Sequence, residues 1–468
     1  MALTHKFYDQ SNLGNILIFE DNQSINSQHL SLGINFLKKH LDQKGIGPGS
    51  KIILCLTSSK LFCEYFFSAW EVGACVIPLS PQLTKTEIDF LVGKIKPSLI
   101  IYSNGKEEFL NNHSKTEINN ALILYTSGSS GTPKGVVLTK EALANKINLY
   151  RVNLPIEHFS NTLCMLPLNF GHGLISNFLL PILTGHQVVL APASRLDIYS
   201  NLGEIIDNFG ITCFSSVPSI LKIATNFGNS PKNKSLKKIF CASAPLDFST
   251  WNKTFEWSSG VRVNNMYGMT ELASWIAGDQ QIKDPIYQEN TFDYPWEAEI
   301  KILKEAADDE YGEILVKSNS MMSEYYEDIE NTHKALQDGW FKTGDIGKVS
   351  SKRIHLMGRL DDMINLGGIK IYPEEVNRII RQHPKVLDCF TTGLKIKDNE
   401  SDHAIGCLIV PVQNQSINIL EIQEICKEHL SSYKIPTQFK ILDKMPTNER
   451  GKIDRTFIKN IFRPKIKE

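Results

Sequence analysis

Residues 125–136 read Tyr-Thr-Ser-Gly-Ser-Ser-Gly-Thr-Pro-Lys-Gly-Val, and they constrain the chain more than any other stretch. Three glycines, five small hydroxyl side chains and a single lysine share one loop. Side chains this small let the backbone bend tightly and come close to a ligand. Successive N–H groups in such a bend form a concave cradle for anionic oxygens. The hydroxyls add donors, and Lys134 adds a mobile positive charge. The apolar run Ala121 to Tyr125 predicts a buried strand ahead of the loop, and Val136-Val137-Leu138 follows it. A flexible Gly/Ser linker is rarely fenced in this way. Phosphate is the guest that this composition suits.

The spacing excludes one common phosphate loop. Mononucleotide-binding P-loops need two glycines four residues apart, then Lys and Ser/Thr. Gly128 and Gly131 are separated by two residues, and Lys134 precedes Gly135. Other classes fall away on composition. The 468 residues carry a formal net charge of −1, which gives no field favouring nucleic acid or an acidic membrane. No window reaches a membrane-spanning length of apolar residues, and the first residues lack a signal-peptide core. Nine cysteines lie scattered without a Cys-x-x-Cys pair, several in apolar runs such as Ile52 to Leu56. That pattern points to buried thiols in a reducing, cytoplasmic setting and away from a zinc site.

The chain alternates strand and helix signals. Leu30 to Leu41 has helical spacing and stops at Gly45; Ile52 to Leu56 predicts a strand, Leu61 to Val72 a helix, and Ala74 to Leu79 a second strand. This strand–helix–strand unit implies a parallel sheet. Val188 to Leu190 and Ile239 to Ala242 continue the pattern. The texture changes near residue 359. Pro373-Glu374-Glu375 opens a helix with proline in its first turn and acids at the positive dipole end. His403 to Val412 suggests a strand. Ile422, Ile425, Cys426, His429 and Leu430 fall on one helical face.

Four further clusters carry chemistry. In Tyr267-Gly268-Met269-Thr270-Glu271, the tyrosine can stack on a purine and Gly268 permits close backbone approach. Thr270 can donate to phosphate, and Glu271 offers hard oxygen to Mg2+. A strand end with a buried Tyr and a surface Glu explains the same residues equally well. Trp340 to Asp345 ends in a Gly-Asp turn whose carboxylate can accept two O–H donors at once. Gly358-Arg359-Leu360-Asp361-Asp362 sits at the change of texture, where an Arg–Asp surface pair and a domain hinge are compatible readings. Near the end, Lys452 follows a glycine in Gly451-Lys452-Ile453-Asp454-Arg455.

Together with the loop, these clusters resemble, in order, those of the adenylate-forming superfamily: acyl- and aryl-CoA synthetases, nonribosomal-peptide adenylation domains and luciferases. The resemblance covers roughly residues 45–456. It implies an α/β protein: a large N-terminal adenylate-forming domain over 1–359 and a small mobile C-terminal α+β domain over 362–468. The hinge would lie near Asp361, with Asp362 a neighbouring rival. Thr126, Ser127, Gly128, Ser129, Ser130, Gly131, Thr132 and Lys134 would then hold phosphates. Ala242, Ala244 and Pro245 would line the adenine, beside Tyr267, Gly268 and Thr270. Thr126 and Glu271 would hold the metal, Asp345 the ribose, and Arg359 would reach the nucleotide. Lys452 would be the catalytic lysine, and Gly367 and Gly368 would face the thiol channel.

The implied activity is a two-step ligation of a carboxylic acid, with ATP and Mg2+, to the thiol of CoA or of a carrier protein's phosphopantetheine arm. No nucleic-acid partner and no membrane span are expected. A nucleotide-binding protein without catalysis is the alternative of another class; a luciferase-like oxidase ranks below the ligase. Two departures stand out. The family's histidine two residues after Pro-Leu is replaced by Phe170, and His172 comes later, as a candidate for the acyl pocket or its gate. The usual Gly/Pro-rich turn before residue 297 is Asp293-Tyr294-Pro295-Trp296. The segment Ile175 to Phe178 carries no acid to hold an ammonium, which favours a substrate other than an amino acid.

Overall fold

The computed structural model describes residues 8–19, 23–111, 114–127, 133–193, 195–278, 289–293, 296, 298–304, 310–367, 369–394, 404–412, 414–447 and 453–462. The chain divides into two compact units: Met1–Ile300 with Val316–Phe341, and Lys301–Leu315 with Lys342–Glu468.

The first unit holds two sheets, one mixed and one largely parallel. One has seven strands, in the order Glu324–Tyr325, Pro133–Thr139, Asn120–Ser127, Cys75–Pro78, Lys51–Cys55, Leu99–Tyr102 and Glu107–Phe109. Lys51–Cys55 pairs in parallel with both Cys75–Pro78 and Leu99–Tyr102, as the strand–helix–strand pattern implies. The intervening helix Lys60–Glu71 starts where the Ser59 side chain accepts from Phe62 N, satisfying an otherwise orphaned donor. One face of this sheet (Ile53, Ile77, Ile100, Ile123, Val137) is sealed by Leu91 and Ile95 of helix Lys85–Ile95.

The second sheet has eight strands, in the order Ser274–Gly278, Val263–Met269, Lys238–Cys241, Cys213–Ser216, Asn161–Cys164, Gln187–Leu190, Ile16–Ile18 and Gln23–Ile25. Side chains alternate faces along each strand. Phe214, Ile239, Cys241 and Val263 join Ile205, Ile206, Ile220 and Leu221 in one core. In register on the opposite face, Ser215 lies beside Phe240. That face meets His172 and Trp275.

The longer segment of the second unit opens within an antiparallel ribbon, Trp340–Ser350 with Arg353–Arg359. A 3-10 turn, Leu360–Asp362, leads from the ribbon into the C-terminal α+β portion. There Val386–Leu394 pairs antiparallel with Ala404–Pro411, which pairs in parallel with Gln438–Ile441. Period-two alternation splits Ala404–Pro411 between two small cores. Cys407 and Ile409 meet helices Pro373–Ile380 and Ile419–His429, whereas Leu408 and Val410 meet helix Arg455–Phe462. The expected division at 359–362 therefore falls inside the second compact unit, which takes in the ribbon as well. All nine cysteines are buried free thiols. Among the described residues, no helix is long and apolar enough to cross a membrane.

Candidate functional site

The lysine-bearing loop joins two antiparallel strands, with Thr126 opposite Lys134 and Ser127 opposite Pro133. Its tip, Gly128 to Thr132, lies outside the described residues, as does the Ser127 side chain. Thr126 is half-buried and its hydroxyl donates weakly to Lys134 O, at 3.5 Å. Lys134 Nζ donates to Asn331 Oδ1 at 3.1 Å and lies 5.1 Å from the centroid of the Tyr325 ring. Asn331 in turn donates to both carboxylate oxygens of Asp328. Burial pushes the Asp328 carboxyl up, but those bonds and the nearby Lys134 charge outweigh it and hold the group below its ordinary value.

Glu271 stands on a 3-10 turn, Thr270–Leu272, that follows strand Val263–Met269 and touches strand Pro133–Thr139. Tyr325 Oη donates to Glu271 Oε1 at 2.9 Å, and Met322 N donates to Glu271 O at 2.7 Å. One tyrosine thus touches both the cation and the carboxylate that the sequence singled out. Thr270 is half-buried on the same turn, and Gly171 lies close to its Cα. The Glu271 carboxylate and the Thr126 hydroxyl are hard oxygen donors of the kind Mg2+ takes. Tyr267 is buried, its ring 5.4 Å from that of Phe292. Gly268 is required by the protein itself: a Cβ there would sit 2.1 Å from Ser274 O of the adjacent strand.

The segment after strand Lys238–Cys241 places Ala242 in the core, Ala244 half-buried and Pro245 exposed. Between Ala242 and Ala244, Ser243 has φ +72°, and its hydroxyl meets His172 Nδ1 at 3.0 Å. His172 Nε2 meets Ser215 Oγ at 2.5 Å, and the ring stands edge-on to Trp275, 5.3 Å away. The histidine therefore bridges the candidate adenine segment and the sheet, rather than lying loose in a glycine turn. It opens a π-helix, His172–Leu179, a rare form found often at functional sites. Behind Trp275, Lys146 is fully buried. Its Nζ donates to Trp275 O at 2.7 Å, and Tyr150 Oη accepts from Trp275 N. With no water to stabilise its charge, the ammonium is pulled down to about 7. Trp296, the residue that departs from the family's usual turn, is buried against Tyr150.

In the second unit, Asp345 and Arg359 face each other across the ribbon. Arg359 Nη1 donates to Asp345 Oδ1 at 2.9 Å and to Thr343 O at 3.0 Å. Gly344, at φ +67°, has the Arg359 guanidinium beside it and donates its N–H to Glu313 Oε1. Asp361 is exposed on the following turn, and Asp362 is half-buried. Gly367, at φ +61°, is exposed with open space around it, and Gly368 lies outside the described residues. So does Lys452, between the described segments 414–447 and 453–462.

The residues that sequence reasoning missed are Tyr325, Asn331, Ser215, Ser243 and Trp275. Tyr325 follows Met321-Met322-Ser323-Glu324, a run with no chemical signature, and lies 54 positions from Glu271.

The comparisons with known proteins give this fold a family. The profile of the AMP-binding enzyme family matches residues 10–119 and 111–326, and that of the AMP-binding enzyme C-terminal domain matches residues 375–452. The chain belongs to this family of adenylate-forming enzymes. It is 25% identical over 466 residues to an oxalate–CoA ligase of Arabidopsis thaliana, covering 89% of each chain. It is 32% identical over 342 residues to a 2-succinylbenzoate–CoA ligase of Bacillus licheniformis, covering 72% of this chain and 69% of the relative. Its fold is that of the o-succinylbenzoate coenzyme A synthetase of Bacillus subtilis solved with ATP and magnesium ion. There the TM-score is 0.80 at 23% identity, over 95% of this chain and 96% of that one.

Proposed function

We propose that this enzyme joins a carboxylic acid to the thiol of CoA in two steps, through an acyl-adenylate. The observation that carries the reading is the arrangement behind the phosphate hairpin. Lys134 Nζ donates to the Asn331 amide oxygen and faces the Tyr325 ring, and the hydroxyl of the same tyrosine orients Glu271. Lys134 and the loop Thr126 to Thr132 bind the triphosphate of ATP. Ala242, Ala244, Pro245 and Tyr267 bound the adenine, and Asp345 accepts the ribose hydroxyls. Arg359 steers that carboxylate and reaches the nucleotide. Glu271 and Thr126 are the residues that would hold Mg2+, which spreads the negative charge of the departing pyrophosphate.

In the first half-reaction the substrate carboxylate attacks the α-phosphate. Lys452 carries an ammonium to the charge that builds on the phosphoryl oxygens. In the second, the thiol attacks the mixed anhydride and releases AMP. No protein nucleophile is needed, since the thiol supplies the electron pair. The C-terminal portion turns about Asp361 between steps, withdrawing Lys452 and bringing Gly367 and Gly368 toward the thiol. His172, bonded at both ring nitrogens, borders the acyl side of the site. The absence of an acid in Ile175 to Phe178 favours a substrate without an ammonium group. The nine buried thiols favour a cytoplasmic setting. A carrier-protein thiol is the second acceptor to test.

The deciding experiment is carboxylate-dependent exchange of labelled pyrophosphate into ATP, run over a panel of mono- and dicarboxylic acids, followed by addition of CoA or a phosphopantetheinylated carrier protein. The reading expects exchange with at least one acid, and thioester plus AMP once CoA is present. Tight ATP binding with no exchange across the panel would leave a nucleotide-binding protein without catalysis.

A further inference from the structure

Tyr325 is anchored from several sides. It lies on a two-residue edge strand, Glu324–Tyr325, opposite Val136 of the phosphate hairpin. The flanking backbone is stitched to that hairpin by Tyr326 N to Gly135 O at 2.7 Å and Ser323 N to Val137 O at 3.0 Å. It is stitched to the Glu271 turn by Met322 N to Glu271 O. Tyr325 N donates to Thr332 Oγ1 at 2.9 Å. The neighbouring Tyr326 is tied into the sheet interior, accepting from the buried Lys51 Nζ at 2.9 Å. The Tyr325 side chain, 7% exposed, therefore has little freedom when it meets its two charged neighbours.

Its two ends do different work. The hydroxyl donates to Glu271 Oε1, which fixes that carboxylate's orientation. The ring face attracts the Lys134 ammonium without neutralising it. A carboxylate at position 325 would cancel Lys134; a phenylalanine would keep the cation and release Glu271. We infer that Tyr325 is a positioning residue for the Mg·ATP site, setting the metal-binding carboxylate through its hydroxyl and the phosphate-binding lysine through its ring. This inference rests on the reading that the site takes Mg·ATP.

The test separates the two ends by isothermal titration calorimetry with a non-hydrolysable ATP analogue, in Mg2+ and in EDTA. Tyr325→Phe should weaken the Mg2+-dependent part of binding by roughly 10-fold or more, the scale for losing a partner behind a metal ligand. Its affinity in EDTA should stay within about twofold of wild type. Tyr325→Leu should add a loss of about threefold in EDTA, the scale of one exposed cation–π contact. In a double-mutant cycle with Glu271→Gln, the effect of Tyr325→Phe should largely vanish, because its target is already gone. A general packing defect would instead lower affinity equally with and without metal and add to Glu271→Gln, and that outcome overturns the inference. So does a Tyr325→Phe variant with unchanged Mg2+ dependence. A wild type that binds the analogue with Mg2+ but supports no pyrophosphate exchange would remove the ligase reading alone.

Discussion

In the first compact unit, Lys51, Lys134 and Lys146 donate to neutral partners: hydroxyls of Ser114 and Tyr326, the Asn331 amide oxygen and the Trp275 carbonyl. In the second, Arg359, Arg381 and Lys434 donate to carboxylates of Asp345, Glu374 and Glu375, at 2.9, 2.9 and 2.6 Å. The difference decides what an arriving anion meets. A cation held by neutral groups has no carboxylate to give up to an incoming anion, and Lys134, bonded to the Asn331 amide oxygen, is held in that way. A cation already paired must share its carboxylate or leave it, so an anion arriving at Asp345–Arg359 would exchange partners rather than add one. The same neutral surroundings deep in the core have the opposite consequence. Lys146 has no ligand to greet, and burial pulls its proton off toward neutral pH.

The largest expected effect lies in the second unit's tail. If Lys452 is a cation reserved for the transition state, Lys452→Ala should slow adenylation by at least about 100-fold, the scale for losing one such donor. Thioester formation from supplied acyl-adenylate should be nearly unaffected. Asp361→Pro, which stiffens the turn Leu360–Asp362, should do the reverse. Equal losses in both half-reactions, for either variant, would dissolve the assignment of separate roles.

Next in size is Asp345→Asn. The carboxamide cannot accept two hydroxyls as a carboxylate does, and it releases Arg359. ATP should bind about 10-fold more weakly, and the preference for ATP over 2′-deoxy-ATP should disappear; charge-assisted hydrogen bonds are of this order. If the ion pair only braces the ribbon, the variant will melt earlier yet keep the preference for the ribose hydroxyl intact.

How much of this was readable beforehand depends on range in sequence. The parallel unit from Lys51 to Pro78 was legible because its apolar runs, its turn and its helix are local. So was the helix at Pro373, whose start signals lie within three residues. Thr126 opposite Lys134 follows from a hairpin. Tyr325 was invisible because only strand addition carries it to Glu271. The π-helix at His172 was invisible for another reason: its residues Ile175 to Phe178 are apolar enough for any buried helix, and composition does not reveal the hydrogen-bond step. Gly268 was read as a point where a nucleotide could come close to the backbone, and the structure puts the backbone of Ser274 and Trp275 there. The compact units divide at Phe341/Lys342, within strand Trp340–Ser350, and the expected hinge near Asp361 lies further along the chain, inside the second unit.

The smallest effect probes the contrast itself. Lys146 falls to about 7 inside the protein, with desolvation the cause, whereas an unfolded lysine keeps its proton to about 10.4. Below pH 7 the ammonium is charged in both states, and the full penalty of burying it is present. Between those values the unfolded chain holds more protons than the native one, so the contribution of Lys146 to stability rises with pH. Lys146→Met removes the titrating group. Its stability relative to wild type should therefore be most favourable near pH 6 and should decline by about 1 kcal/mol between pH 7 and pH 8. Urea melts of both proteins across that range measure the difference, and titrations common to the two cancel. A difference that stays flat with pH would mean that an anion neutralises Lys146. Lys146 would then be held as Lys222 is by Asp247 and as Arg359 is by Asp345, and the contrast would rest on Lys51 and Lys134 alone.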